Sequence, residues 1–199
     1  MEEIFIKSYL QTVKIICPKL EDETLQFFAE GLTVSFLTAK QFYIQANVVQ
    51  KEIGYVSSGL IRAFYIDDNG NEKTVNFISE GQYASHYTHF ENRNPSKFYF
   101  QCLEPTTIVN IPLQHIQIST DKFPYLERYV RKVVEDAHSN LLSRIEGFLF
   151  GNAESRYLEF IERHPDWYNR IPLTHICSYL GIERQTLSRI RNKLLRNNL

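Results

Sequence analysis

The strongest constraint on the fold lies near the end of the chain, in the segment LTHICSYLGIERQTLSRIRNKL at residues 173–194. Residues 173–180 predict a short helix, Gly181 suits the tight turn that ends it, and residues 183–196 predict a second helix. Cys177 places a small side chain near the crossing of the two helices. Their buried side is marked by Ile176, Leu180, Ile182, Leu187 and Ile190. This spacing is typical of a helix-turn-helix.

The outward side of the second helix carries side chains that can read DNA. The N-terminal part of this helix enters the major groove in a helix-turn-helix, where Arg pairs with guanine and Gln with adenine. Side chains further along it, and at the start of the first helix, would meet phosphates. The predicted DNA-binding residues are Thr174, Arg184, Gln185, Thr186, Ser188, Arg189, Arg191 and Lys193. A solvated basic face on a helical protein-interaction module remains the alternative.

The charge of the chain is unevenly distributed. The formal net charge of −1 over 199 residues gives no global basic field, but the part from Ala153 onward carries +3 and the rest −4. The composition, 43% hydrophobic, is that of an ordinary folded protein. The N-terminus has no signal-peptide pattern, and no apolar run approaches the roughly 18 residues of a membrane span. We therefore expect a cytoplasmic protein without a membrane partner.

The middle of the chain, residues 32–112, is a series of short runs rich in β-branched and aromatic residues. The clearest unit is IRAFYIDDNGNEKTVNFI, in which Asn69-Gly70 separates two alternating strands. An Asn-Gly pair between such strands is a strong hairpin signal. Several strands of this kind predict an antiparallel barrel or sandwich. Helices are predicted before it, over residues 3–30 with a break at Pro18, and again from Thr120.

A long amphipathic helix is predicted between the β-rich region and Gly151. Its apolar residues recur at helical spacing and form a single stripe: Leu126, Val130, Val133, Ala137, Leu141 and Ile145, continued by Phe148. A helix of this length needs a partner along the stripe. It can pack on its own sheet or on the same helix of a second subunit, and the near-heptad spacing favours the homodimer.

Together these three parts resemble the Crp–Fnr family of bacterial transcription regulators, relatives of the cyclic-AMP receptor protein. VSSGLIRAFYIDDNGNEKTVNFISEGQYA, residues 56–84, is similar to the family's β-roll signature, and AESRYLEFIERHP with HICSYLGIERQTLSRIRNKL to its DNA-binding half. The resemblance implies an α+β fold with an antiparallel β-roll of the cyclic-nucleotide-binding, jelly-roll type. A long dimerisation helix and a C-terminal winged helix-turn-helix follow. The implied domains are residues 1–120, 121–150 and 151–199, and the implied partners are double-stranded DNA, a second copy and RNA polymerase.

Two departures from the family pattern affect these expectations. The cyclic-nucleotide members carry Gly-Glu for the ribose and Arg-Ser or Arg-Thr for the phosphate, where this sequence has Ala84-Ser85 and Ser96-Lys97. A phosphate needs a fixed cation or a backbone nest, so we expect an effector other than cyclic AMP, or none. The candidate effector pocket comprises Gly81, Tyr83, Ser85, Arg93, Lys97 and Tyr99. The chain also stops at Leu199, so the wing is expected to be short.

Other chemistry has weaker support. His86 and His89 form an H-x-x-H, and His115 and His138 follow, but no Cys or carboxylate stands at a zinc-binding spacing. Three scattered cysteines argue against an iron–sulfur cluster, whereas haem would leave little trace and stays open. No cofactor is expected, and enzyme signatures are lacking.

The aromatic residues around residues 83–100 either fill the roll or line a site for an apolar ligand. A cupin-like small-molecule-binding barrel with a helical tail is the alternative function.

Overall fold

The computed structural model describes residues 1–86 and 94–197, and Arg93 and His89 of the predictions above lie outside them. Helices α1 (Glu2–Ile16) and α2 (Asp22–Glu30) come first and are separated at Pro18, as the sequence predicts. Eight strands follow in the described residues: β1 (Thr33–Leu37), β2 (Phe42–Ile44), β3 (Glu52–Ser58), β4 (Ile61–Ile66), β5 (Glu72–Ile78), β6 (Tyr83–Ala84), β7 (Tyr99–Cys102) and β8 (Thr106–Pro112). They form the β-roll.

The strands make two four-stranded sheets, with orders β1-β8-β3-β6 and β2-β7-β4-β5. Every pairing between the described strands is antiparallel. Alternate side chains from both sheets meet between them, where Val56, Ile61 and Ile108 are completely buried. The predicted α+β fold with an antiparallel β-roll is confirmed.

The predicted hairpin is formed by β4 and β5. Gly70 adopts a φ of 80°, and its amide donates a hydrogen bond of 2.9 Å to the carbonyl of Asp67. Asp67 also accepts two backbone hydrogen bonds on its carboxylate, from Asn69 and Asn71. Glycine adopts this φ without a steric cost, which explains why the Gly of Asn69-Gly70 marks the turn.

Helices make up most of the described chain after β8. They are α3 (Leu113–Lys122), α4 (Leu126–Phe150), α5 (Ala153–Arg163), a 3-10 helix (Pro165–Asn169), α6 (Leu173–Leu180) and α7 (Arg184–Asn197). The sequence prediction missed the start of α3, because Leu113, Ile116 and Ile118 are too few to show a clear helical period. None of the described helices is long and apolar enough to cross a membrane. No strand follows β8 in the range that the structure describes.

Two hydrophobic clusters fix the helices against the β-roll. In the first, Tyr9 and Val13 of α1 pack with Leu126 and Tyr129 of α4 over β3 and β8. In the second, the C-terminal helices share a core with Leu60 and Phe77 of the roll. The Phe77 ring lies 5.1 Å from that of Tyr179. The helix pair that carries the predicted DNA-binding residues is therefore docked on the outer face of the sheet.

Candidate DNA-binding surface and effector cavity

Helices α6 and α7 form the predicted helix-turn-helix. Gly181 ends α6 in the left-handed conformation, with φ 64° and ψ 41°. Four of the five residues predicted to face inward are buried: Ile176 and Leu180 on α6, and Leu187 and Ile190 on α7, are each at most 6% exposed, whereas Ile182 is partly buried. Cys177 is also buried, at the crossing. Helix α7 begins one residue later than predicted, and the same residues as predicted face inward and outward.

The outward side of the first turns of α7 faces solvent. Arg184, Gln185, Ser188 and Arg189 are all exposed, and so is Thr174 near the start of α6. Among the described residues, no hydrogen bond or ion pair engages the side chains of Arg184, Gln185 or Arg189. These donors are available to an acceptor outside the chain, beside a helix N-terminus that favours negative charge.

The other predicted contacts are partly used within the chain. Lys193 donates to the carboxylate of Glu154 at 2.8 Å, and the Arg191 guanidinium lies 4.8 Å from the centre of the Tyr168 ring. Thr186 is half-buried. A phosphate would have to compete with Glu154 for Lys193. Sequence spacing cannot reveal this competition, because Glu154 lies on another helix.

The inner side of α6 is occupied by the β-roll. His175 faces β4 and β5, where burial lowers the pKa of its imidazole and the nearby Arg62 guanidinium lowers it further. Arg62 is only 1% exposed and lies 2.5 Å from the Glu72 carboxylate, while its Nε donates to Thr74 Oγ1 at 2.8 Å. His175 is thus turned toward the β-roll, whereas Thr174, the predicted DNA-binding residue of α6, is exposed.

A cavity of about 500 Å³ lies between β5, β6 and helices α4–α6. Of the predicted pocket residues, Gly81, Tyr83 and Ser85 line it. Its apolar wall on the roll side includes Ala63, Ile78, Phe98 and Phe100, and its polar wall on α4 includes Asp136, Asn140 and Arg144. That a ligand occupies this cavity stays a prediction.

Two predicted pocket residues lie elsewhere. Tyr99 stacks on Phe64 with ring centres 5.3 Å apart, whereas its neighbour Phe100 lines the cavity. Successive side chains of a strand point to opposite faces, so Tyr99 belongs to the outer face of the sheet. Lys97 is exposed and does not line the cavity. The prediction placed both inside, because an alignment of motifs does not fix which face of the sheet a residue occupies.

Tyrosine hydroxyls join the cavity to α4. Tyr129 Oη is hydrogen-bonded to Tyr83 Oη and, at 3.0 Å, to Tyr9 Oη. Burial raises the pKa of Tyr83 to about 12, and it also holds the pKa values of Tyr9 and Tyr129 well above their ordinary value, so all three are neutral at physiological pH. The sequence prediction named Tyr83 alone, since its partners come from helices distant in the chain.

The apolar stripe of α4 divides into two halves. Leu126 is completely buried in the chain's own core, and Val130 and Val133 pack partly against that core. Ala137 is exposed, as are Leu141 at 55% and Ile145 at 44%. The N-terminal half of the stripe packs within the chain, so Leu126 is not accessible to a second subunit. The C-terminal half presents an uncovered apolar surface on which a second subunit could pack.

Metal-ligating residues are not clustered in the part of the chain that the structure describes. No group of three or more His, Cys, Asp or Glu side chains there could hold a metal ion. Cys17, Cys102 and Cys177 are buried free thiols. His86 Nδ1 lies 3.3 Å from Ser96 Oγ, on the edge of the cavity.

The architecture defines a β-roll joined through a long helix to a helix-turn-helix, which is the fold of the Crp–Fnr transcription regulators. No family model matches the sequence, and no curated protein matches it significantly. The similarity appears in solved structures and confirms the resemblance at the level of the fold.

Three solved structures illustrate this similarity. A CooA mutant from Carboxydothermus hydrogenoformans is 22% identical, with a TM-score of 0.65 over 84% of this chain and 78% of that one. FixK2 from Bradyrhizobium japonicum is 13% identical, with a TM-score of 0.71 over 84% and 86%. CLP from Xanthomonas campestris, described as a c-di-GMP-responsive global regulator, is 13% identical, with a TM-score of 0.70 over 90% and 94%.

Proposed function

We propose that this protein is a sequence-specific transcription regulator that binds double-stranded DNA as a homodimer. The single observation that carries the proposal is the outward face of α7. Arg184, Gln185 and Arg189 are exposed there, and their donors have no acceptor among the described residues. Side chains of this kind at the N-terminal end of a second helix match the groups that read base edges in the major groove.

Base reading and phosphate binding fall to different residues. The two arginines would each make a bidentate pair with guanine O6 and N7, and Gln185 would do so with adenine. Thr174, Ser188 and Arg191 are suited to phosphate oxygens, which fix the position of the helix without selecting a sequence. Lys193 contributes after it leaves Glu154.

The second copy would dock on the exposed half of α4. Leu141 and Ile145 lie on this surface, and Leu142, Leu149 and Phe150 enlarge it, at 45%, 70% and 86% exposed. Large apolar side chains concentrated on one solvent-facing helix are typical of an interface. A dimer of this kind would carry two recognition helices, which must lie about 34 Å apart to enter successive major grooves.

An effector, where one exists, would occupy the cavity beside α4. The cavity combines an apolar wall with a few polar groups, as small-molecule sites do. The residues that bind ribose and cyclic phosphate in the resembling family have no counterpart here, so we propose a ligand other than cyclic AMP. Such a ligand would act by favouring one arrangement of the recognition helices over another. RNA polymerase is the proposed partner at the promoter.

The test is selection from a library of random duplexes at about 0.15 M salt with purified protein and no added ligand. Enrichment of a palindrome with half-sites about 10 base pairs apart supports a dimeric reader. Salt-sensitive binding without enrichment indicates an inactive arrangement, and the selection is then repeated with candidate ligands. Failure to bind DNA under every condition contradicts the proposal.

A further inference from the structure

Arg144, in the second half of α4, connects three parts of the molecule. Its Nη2 donates a hydrogen bond of 3.0 Å to the carbonyl of Tyr179 in α6, and its Nη1 donates to the carbonyl of Val75 in β5. The guanidinium also lies 3.9 Å from the centre of the Tyr179 ring. One side chain thus joins α4, the β-roll and the helix-turn-helix.

Both carbonyls lack a partner in their own element. In the pairing of β4 with β5, Ala63 lies opposite Asn76 and Phe64 opposite Thr74, so Val75 is the extra residue of a β-bulge. A bulged residue is left unpaired in the ladder. Tyr179 lies in the last turn of α6, where carbonyls have no intrahelical donor. Arg144 satisfies both groups at once.

Arg144 is held by hydrogen bonds to backbone carbonyls rather than by an ion pair. No carboxylate forms a salt bridge with it among the described residues, and burial lowers the pKa of its guanidinium. The planar fork of Arg holds two acceptors in a fixed geometry, which the single ammonium of Lys cannot do. Through this fork, α4 is hydrogen-bonded to both β5 and α6.

A second arginine supports the same junction from the other side. Arg156 Nε donates to the carbonyl of Leu180 at 3.0 Å, and its Nη1 donates to that of Gly151 at 3.1 Å. The end of α6 is thus held by α4 through Arg144 and by α5 through Arg156. Only Arg144 of these two also reaches the roll through Val75.

We propose that Arg144 is the positioning residue that sets the orientation of the recognition helix relative to α4, and so the half-site spacing that the dimer accepts. The inference rests on the proposed function, since it presupposes a dimer that reads two half-sites. Arg144 also lines the cavity, so a ligand there would meet the side chain that orients the DNA-binding helices.

The test compares Arg144→Met with Arg144→Lys and with the control Arg131→Met on the same helix. Arg131 is 67% exposed and pairs with Glu135 of the same helix at 3.7 Å. Each protein is titrated with duplexes that carry the selected half-sites at the preferred spacing and at spacings changed by one or two base pairs, and also with a single half-site.

We expect the wild type and Arg131→Met to prefer one spacing by about tenfold or more, because two recognition helices at a fixed separation fit only one spacing. Arg144→Met should reduce that preference to about threefold or less, while binding to a single half-site is unchanged. Arg144→Lys should be intermediate. An unchanged spacing preference in Arg144→Met overturns the proposal, and so does an equal loss on every duplex, single half-sites included.

A second measurement needs no DNA. Spin labels on cysteines at Asp68, in the exposed hairpin turn, and Leu195, 67% exposed on α7, report the distance between the roll and the recognition helix in the full chain. Arg144→Met should broaden the distribution of this distance, and Arg131→Met should not. If the wild type binds no DNA, the proposed function fails, but a broadened distribution still supports Arg144 as the positioning residue. An unchanged distribution overturns its role.

Discussion

The backbone amide of Thr74 in β5 donates a hydrogen bond of 2.9 Å to Oγ of Ser178 in α6, across 104 residues of sequence. The Ser178 hydroxyl in turn donates to the carbonyl of Glu72 at 3.2 Å. Strand β5 is an edge strand of its sheet, so the backbone groups on its unpaired side need partners. The first helix of the helix-turn-helix supplies them, and these hydrogen bonds join the helix-turn-helix to the roll.

Replacement of Ser178 by Ala should loosen this joint. Thr74 is 4% exposed, so its amide would lose its acceptor in a buried position, at a cost of about 1–3 kcal/mol in the free energy of unfolding. Hydrogen exchange read by mass spectrometry should show faster exchange in β5 and α6. Protection equal to that of the wild type in both segments would contradict the assigned contact.

Acid should also weaken the attachment of the C-terminal helices to the roll, because Glu80 of the roll forms an ion pair with Arg170. Arg170 Nη2 lies 2.8 Å from Glu80 Oε1 and also pairs with Glu104. Burial raises the pKa of the Glu80 carboxyl, but hydrogen bonds from Arg170 and from the backbone outweigh this effect and hold the pKa below its ordinary value of 4.5. A carboxylate of this kind stabilises the fold above its ordinary pKa, and the contribution is lost as the pH falls through the folded-state pKa.

Glu80→Gln should therefore lower the free energy of unfolding near pH 6 by about 1 kcal/mol or less, since the pair is partly exposed. Between about pH 5 and pH 3 its stability should fall less steeply than that of the wild type. Urea titrations at several pH values measure this slope. Glu135→Gln, which removes an exposed pair within α4, is the control. Parallel slopes for wild type and Glu80→Gln would refute the prediction.

Gly181 should tolerate no side chain easily. Its φ of +64° is costly for other residues, and an added Cβ would lie 3.0 Å from Phe148 Cε1. Gly181→Ala should lower the free energy of unfolding by about 1–2 kcal/mol. Gly147→Ala is the matched control inside α4, where the nearest atom would be 3.5 Å away, and it should stabilise by up to about 1 kcal/mol. Urea unfolding of both variants checks the opposite signs.

Disruption of the exposed half of α4 should prevent dimer formation. Ile145→Asp would place a charge on the proposed interface, and sedimentation should then give a monomer in place of a dimer. Ile15→Asp, at a position that is 77% exposed on α1, is the control and should leave the dimer intact. A wild-type monomer, or a dimer that persists in Ile145→Asp, would exclude this surface as the interface.

The sequence predicted the elements whose local pattern determines their structure. The helix-turn-helix follows from apolar spacing around Gly181, and the β4–β5 hairpin from Asn69-Gly70. Both depend on contacts between residues close in the chain, where helical and strand periods leave a readable signal. The order of the parts also follows from these patterns, and the resemblance then implied that the β-rich region is a β-roll, which the structure confirms.

The sequence could not predict contacts between distant elements. The hydrogen bond from Arg144 to Val75 spans 69 residues, and that from Thr74 to Ser178 spans 104. Such contacts leave no periodic trace. The same limit explains Tyr99, whose side of the sheet depends on strand register, and Leu126, whose burial depends on α1.

The most direct test of the central claim measures Arg189→Ala against every single-base variant of the selected duplex. If α7 reads bases, the loss of affinity should be about 1–3 kcal/mol on the selected sequence, and discrimination should disappear at one base position in each half-site. Arg184→Ala should do the same at a different position. A uniform loss on all duplexes, with discrimination intact at every position, would contradict base reading by this helix.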